Sequence, residues 1–489
     1  MQGRKSKRRR DPDAESTGSK ASGYSGIRAL EHYLLCFQLV LRKQVTWLVN
    51  VVNLPADLEP LVKDLWVLRL HKLQSRVTTV DSGTDTEGKS QLFSSQSEGE
   101  SSHTTASRRI RKGHVTDGAP NLLEAVALCY VGLLLMREPV TVAALHGWAS
   151  DGSLLYFRAA KEVPLAMRDR LPATYQDLLE PRDIGPAQKL HQSVLNLVVG
   201  LHADTGMEVP PINHPLILYR WVSELTLPIE VYTAALRLGR GLEFDFAFLK
   251  SPEKRSNVVL RSPEVRLMCL LVIATKLLFP LDGVDRSVPS ASDLSALKFD
   301  WVGWSNGEAA GIGRSPGTMT FEQAASITTS EALHANDRQL DEYLDWFEHN
   351  IATEQVRDHG KAGQDANFRR NLFDLFPVER KPEPPGKSQS QTATMGTEDR
   401  NDVQAAQSRL EAARMLEADE GQHDTLRHGR RYRRYRAVNE LDGAVKLLLQ
   451  RCADMVGLTL DAMVGAVFAV ERKMQLVEEK LRKLGEDVE

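Results

Sequence analysis

The densest group of chemistry-bearing side chains lies near the end of the chain, at His428-Gly429-Arg430-Arg431-Tyr432-Arg433-Arg434-Tyr435-Arg436. Five guanidiniums fall within seven residues, interleaved with Tyr432 and Tyr435. Arginine forks match phosphate oxygens bidentately, and tyrosine stacks on or hydrogen-bonds to sugar and phosphate. The tract therefore suits nucleic acid, where phosphate contacts position a protein without reading sequence. Two other readings fit the same residues: contact with a partner protein, or a solvated turn paired with the acidic Glu417–Glu420 run upstream. Arg108, Arg109, Arg111 and Lys112 form a second candidate DNA-binding patch, at the end of a Ser/Thr/acid-rich stretch. A third basic run, Lys5, Lys7, Arg8, Arg9 and Arg10, reads as a nuclear import signal or a nucleic-acid arm.

Catalytic patterns are missing. The chain has no GxxxxGKS/T, no GxGxxG after a strand, no HExxH, no GxSxG and no kinase set. Gly311-Ile312-Gly313 stands in a polar stretch without strand or helix context. His146, His191 and His214 stand alone near helical segments and read as surface or capping residues. The four cysteines, Cys36, Cys129, Cys269 and Cys452, make no CxxC pair, so no metal ligand is assigned. Their apolar settings suggest buried thiols in a reducing compartment. Charge without a catalytic constellation points to an interaction protein and not an enzyme.

The elements that must carry these residues are helical. Ser262 to Pro280 contains an unbroken apolar run, Leu267 to Ala274, with Pro263 at the first helical position and Pro280 as the stop. A helix apolar on every face belongs inside a ring of other helices, and this one is too short and too flanked by charge to span a bilayer. Leu122 to Met136 is its counterpart earlier in the chain. Leu30, Leu34, Phe37, Leu41, Val45 and Leu48 repeat at helical spacing, and Pro55 opens a second helix with Leu58, Leu61, Leu65 and Leu68 on one face. Further helices are expected near 139–148, 162–170, 190–201, 215–225 and 228–239.

The expected organisation is a disordered basic tail (1–26), a first helical unit (27–178) and a second (185–376). A linker (377–402) and a helical C-terminal region (403–489) follow. Polar, Gly/Ser-rich insertions at 74–118 and 283–335 should lie largely outside the cores. Within the first, Thr84, Ser95 and Ser97 each have an acid three residues on. A short polar helix is expected near 403–418, and two apolar helices near 441–456 and 459–483. The apolar content of 42% is enough for two real cores. No apolar window is long enough for a membrane helix, and the basic N-terminus lacks the apolar stretch of a signal peptide.

Several ordered segments together resemble a known family. These are Tyr33 to Val49, Asp64-Leu65-Trp66, Leu68-Arg69-Leu70, Asn121-Leu122-Leu123-Glu124-Ala125 and Leu165 to Leu178. They continue in Asn213-His214-Pro215-Leu216-Ile217-Leu218-Tyr219-Arg220-Trp221, Leu227-Pro228-Ile229-Glu230-Val231-Tyr232, Pro263 to Pro280, and the Tyr432-Arg433-Arg434-Tyr435-Arg436 element. The set resembles the cyclin-repeat subunit of the fungal RNA polymerase I core factor. That family is similar to an animal TATA-box-binding-protein-associated factor of RNA polymerase I, and distantly to transcription factor IIB.

The resemblance implies an all-α protein with two cyclin-like repeats. It implies a role in assembling the RNA polymerase I pre-initiation complex on the ribosomal DNA core promoter. The implied partners are other core factor subunits, RNA polymerase I and TATA-box-binding protein, with no membrane, and the implied location is the nucleus and nucleolus. A kinase-activating cyclin and a helical adaptor without DNA binding are the alternatives. The family begins with a zinc ribbon of paired cysteines, and no such cysteines precede Tyr33 here. Either the ribbon is lost or the gene model is truncated, and no zinc or other cofactor is expected in this chain.

Overall fold

The structure is a computed structural model. It describes residues 24–82, 119–248, 259–281, 287–288, 296–311, 321–327, 334, 336–350, 403–415 and 432–486. Its main helices, apart from single-turn pieces such as Leu165–Arg168 and Phe321–Ser326, are α1 (Gly26–Asn50), α2 (Leu58–Ser82), α3 (Leu122–Leu135), α4 (Val142–Ser150), α5 (Ala173–Leu179), α6 (Ala187–Thr205), α7 (His214–Glu224) and α8 (Glu230–Gly241). The series continues with α9 (Pro263–Leu278), α10 (Trp301–Gly311), α11 (Asp337–Asn350), α12 (Gly443–Val456) and α13 (Leu460–Glu486). The protein is all-α with two cyclin-like repeats. The described strands are short, and they form two two-stranded ladders at the periphery and no central sheet.

Two helices organise everything else. In α3, the residues from Ala125 to Leu134 are all buried. In α9, burial runs without a break from Pro263 to Lys276. Asn121 caps α3, its side chain accepting from the Glu124 amide at 2.9 Å. Ser262 does not cap α9 in the same way; its hydroxyl contacts His191 Nδ1 at 3.1 Å instead.

Helices α1, α2, α4 and α6 pack around α3, and α7, α8, α12 and α13 pack around α9 in the same order. In each group the central helix is third of five in chain order. Helix α6 covers the first central helix, and α12 and α13 pack on the second. A helix joins the unit whose apolar ridge it covers, whatever the chain distance between them.

Part of the second insertion, which the sequence places largely outside the cores, is buried. Trp304 is fully buried, and its indole nitrogen donates to the Leu225 carbonyl at 2.8 Å. Phe299 and Trp301 pack beside it. Strand β2 (Leu297–Phe299) pairs antiparallel with β3 (Leu410–Ala412), while β1 (Ser287–Val288) pairs parallel with β4 (Arg414–Met415). Part of the polar helix expected near 403–418 is thus strand. Aromatic side chains in a Gly/Ser-rich stretch bury apolar area that composition averages away. The first insertion lies outside the described residues beyond Ser82, together with Thr84, Ser95 and Ser97.

Tight approaches join the two repeats. Gly457 has φ of +70°, and a Cβ there would sit 2.5 Å from Ala187 Cβ. Glycine at this αL position lets the α12–α13 turn dock on α6. His191 on α6 reaches across and contacts the Val456 carbonyl at 2.9 Å.

Candidate nucleic-acid interface

Of the predicted basic residues, the structure describes the segment from Tyr432 to Arg436. Arg430, Arg431, Arg108, Arg109, Arg111, Lys112, Lys5, Lys7, Arg8, Arg9 and Arg10 lie outside the described residues. The segment has no regular secondary structure and lies against the end of α9 and the middle of α13, and its contacts sort the residues into two sets.

The tyrosines turn inward. Tyr432 donates its hydroxyl to Glu471 Oε1 at 2.5 Å, and burial with the nearby carboxylate holds its proton on well above the usual phenol range. Lys276, near the end of α9, donates to the same Glu471 oxygen at 2.6 Å and to the Arg433 carbonyl at 2.8 Å. Its ammonium also lies 4.3 Å from the Tyr432 ring centroid and 4.9 Å from that of Tyr435. The Lys276 side chain is 7% exposed and Glu471 is fully buried. Burial lowers the lysine's pKa, and Glu471 offsets that effect. The Tyr432 hydroxyl, which the sequence reading offers to sugar or phosphate, here donates to Glu471 and fastens the tract to the core.

The arginines turn outward. Arg433, Arg434 and Arg436 are all exposed. Arg434 donates to Gln475 Oε1 at 2.6 Å on α13. Arg436 lies over the Phe468 ring at 5.4 Å from its centroid, and its amide donates to Glu440 Oε2 at 2.9 Å. Arg433 has its carbonyl held by Lys276 and its guanidinium without a partner among the described residues. With Tyr432 and Tyr435 against the core and Arg433, Arg434 and Arg436 exposed, the anchored segment presents its guanidiniums outward. Such a segment can meet phosphates at less ordering cost than a free tail.

Sequence reasoning missed Lys276 and Glu471. Lys276 reads as an ordinary cation in the last turn of a helix, and Glu471 as one acid in a mixed-charge helix. The signal that was present is position: Lys276 follows an unbroken buried run, where a charge needs a partner. The three histidines are half-buried, each with a partner from the fold. His191 is wedged between Ser262 and Val456, and burial lowers its pKa to about 4. His214 stacks on Phe246 at 4.6 Å, and His146 contacts the Gly185 carbonyl at 2.8 Å. Among the described residues no three His, Cys, Asp or Glu side chains come together as a metal site. All four cysteines are buried and unpaired, and burial pushes the Cys36 thiol up to about 11 and that of Cys129 to about 12.

The fold and this interface define a class: a tandem cyclin-fold protein with a basic strip bolted to its second repeat. The chain belongs to the Rrn7/TAF1B family. Residues 37–165 match that family's N-terminal cyclin domain, and residues 186–351 match its C-terminal cyclin domain.

The RNA polymerase I-specific transcription initiation factor rrn7 of Schizosaccharomyces pombe is 23% identical over 381 residues, covering 74% of this chain and 68% of that protein. The corresponding Saccharomyces cerevisiae factor, RRN7, is 22% identical over 359 residues, covering 71% of this chain and 62% of that one. A TATA box-binding protein-associated factor of RNA polymerase I from Oryza sativa subsp. indica is 23% identical over 291 residues, 56% of this chain and 44% of its own length. Among solved structures, the crystal structure of S. cerevisiae core factor matches with a TM-score of 0.51 and 14% identity, over 92% of this chain and 98% of that one.

Proposed function

We propose that this chain is an RNA polymerase I-specific transcription initiation factor that acts as a helical scaffold at the ribosomal DNA core promoter. The observation that carries the reading is the pair of Rrn7/TAF1B cyclin domains in tandem, with relatives that are themselves named as initiation factors of this polymerase. Its partners are then other core factor subunits, RNA polymerase I and TATA-box-binding protein. It works in the nucleus, at the nucleolus, and without chemistry of its own.

The anchored arginine strip supports DNA contact of the positioning kind. It offers guanidinium forks for phosphates and no helix shaped to read base edges, so promoter choice would come from DNA shape or from partner subunits. Co-purification separates this reading from the alternatives. A tagged chain should recover RNA polymerase I and core factor subunits; recovery of a cyclin-dependent kinase, or of neither, overturns it.

A further inference from the structure

Helix α11 carries an apolar face that is only half covered. Leu340, Tyr343, Leu344, Trp346 and Phe347 form a broad apolar arc on it. One part of the arc is packed. Trp346 is buried against Phe321, with ring centroids 5.5 Å apart, and Phe321 stacks on Phe157 of the first repeat at 4.2 Å. The other part is open: Leu340, Leu344 and Phe347 are 45%, 52% and 42% exposed. These three stand at i, i+4 and i+7, so they make one stripe roughly 10 Å long. Single exposed apolar residues are ordinary, but a contiguous stripe of large ones marks a contact surface.

Two observations say what covers it. The first is a matching stripe in the chain itself. Phe368, Leu372 and Leu375 repeat the same i, i+4, i+7 spacing, and Phe373 and Phe376 add to the apolar content before Pro377 ends the run. This segment lies outside the described residues, and residues 351–367 join it to the end of α11. At about 3.3 Å per residue, that connection is long enough to return along the whole stripe. Gly360 and Gly363 within it suit a reversal of direction. The second observation is charge. Asp341, Asp345 and Glu348 each directly follow a stripe residue, so the sequence sets an acidic edge along one side of it. Arg369 directly follows Phe368. In an antiparallel pair of helices the residues one position after each stripe share a side, which brings Arg369 to the acidic edge.

We propose that residues 368–376 fold back on α11 and cover its open stripe. Phe368 seats near Phe347, Leu372 near Leu344 and Leu375 near Leu340, with Arg369 facing the acidic edge. The occupant is this chain's own segment, so the stripe is covered without a partner subunit. Docking also fixes the point from which the stretch 377–402 departs. The surface is separate from the arginine strip, so it stands or falls independently of DNA contact.

The probe is the cysteine pair Leu344→Cys with Leu372→Cys in the full chain, whose own four cysteines are buried. Mild oxidation should join the pair within one chain, seen as a mobility shift on a non-reducing gel. It should do so about tenfold faster than the pair Leu344→Cys with Ser388→Cys; a free tether gives only about twofold from the difference in chain length. Hydrogen exchange is the second arm. Leu344→Asp, at an exposed position, should speed exchange across 368–376 by about tenfold, and Phe368→Asp should do the same across 340–347. The thermal midpoint should stay unchanged in both. Cysteine pairs whose rates differ by about twofold or less, or links formed between two copies of the chain, overturn the proposal. So does exchange in either segment that ignores a substitution in the other, or protection of 340–347 that arises only when other core factor subunits are added.

Discussion

Tyr130 on the first central helix donates its hydroxyl to Glu264 on the second, at 2.6 Å and out of contact with solvent. The same carboxylate accepts from the Val142 amide at the start of α4, at 3.1 and 3.2 Å to its two oxygens. Glu264 thus caps a helix of the other repeat and ties the two cores at their centres. Removing the hydroxyl in Tyr130→Phe leaves the buried carboxyl short of a donor. It should cost about 1–3 kcal/mol in denaturant unfolding. A cost within error would mean that the junction does not depend on this bond.

The burial of the same carboxyl sets a pH dependence, against the pull of its hydrogen bonds. Burial raises the Glu264 pKa from 4.5 to about 7, so the folded state holds that proton more tightly than the unfolded chain does. Its contribution is fully present below about pH 4.5 and is lost as pH rises through about 7. His191 works in the opposite sense. Burial lowers it from 6.5 to about 4, so its contribution is present above pH 6.5 and is lost as pH falls through about 4. The two oppose each other over the interval they share. Glu264→Gln, which cannot titrate, should therefore steepen the fall in thermal midpoint between pH 6.5 and 4. It should also flatten the decline toward pH 7. Identical pH profiles for variant and wild type would contradict the assignment.

The Lys276–Glu471 pair holds the tract to the second repeat. Lys276→Ala strands the Glu471 carboxylate in the core and should destabilise by roughly 3–5 kcal/mol. The double change Lys276→Met with Glu471→Leu removes both charges and should recover most of that loss. In both, hydrogen exchange at the amides of residues 432–436 should accelerate, because the lysine no longer holds the Arg433 carbonyl. Unaltered exchange in Lys276→Ala would show that the pair is not what fastens the strip.

Trp304 tests whether the second insertion is part of the core. Trp304→Ala removes a fully buried indole and its bond to Leu225, and should cost roughly 3–5 kcal/mol. A change of less than about 0.5 kcal/mol, as at ordinary surface positions, would place residues 297–304 outside the cooperative unit.

What could be read from the sequence follows from periodicity. Leu122 to Met136 and Leu267 to Ala274 announce buried helices because no face of either is polar, and the structure centres its two repeats on them. Helix α13 begins where Thr459 predicts, with that hydroxyl accepting from the Ala462 amide at 3.3 Å. The polar residues inside the same elements were not legible. Glu264 reads as a first-turn acid that favours the helix dipole, yet its partners lie more than a hundred residues away in the chain. The packing of α12 and α13 on α9 was hidden for the same reason, since well over a hundred residues separate them in the chain. The arginines of the tract were legible by density. The inward turn of Tyr432 was not, because it depends on Glu471, which no local pattern links to it.

The DNA contact proposed for the strip predicts a signature in salt. Each phosphate neutralised by an arginine releases counterion, so affinity for duplex DNA should fall steeply as salt rises. Replacing Arg433, Arg434 and Arg436 by alanine should reduce the slope of log K against log salt by roughly one unit per lost contact, and weaken all sequences alike. The slope is measured on ribosomal promoter DNA with the partner subunits present. An unchanged slope and affinity would remove the tract from the DNA interface.

The most direct measurement is promoter-dependent transcription in a nuclear extract depleted of this protein and then supplied with purified chain. Wild-type protein should restore RNA polymerase I transcripts from a ribosomal DNA promoter and leave an RNA polymerase II template unaffected. The triple alanine variant should restore markedly less at physiological salt than at low salt. Wild-type protein that restores no ribosomal transcript, or that acts equally on both templates, would contradict the assignment.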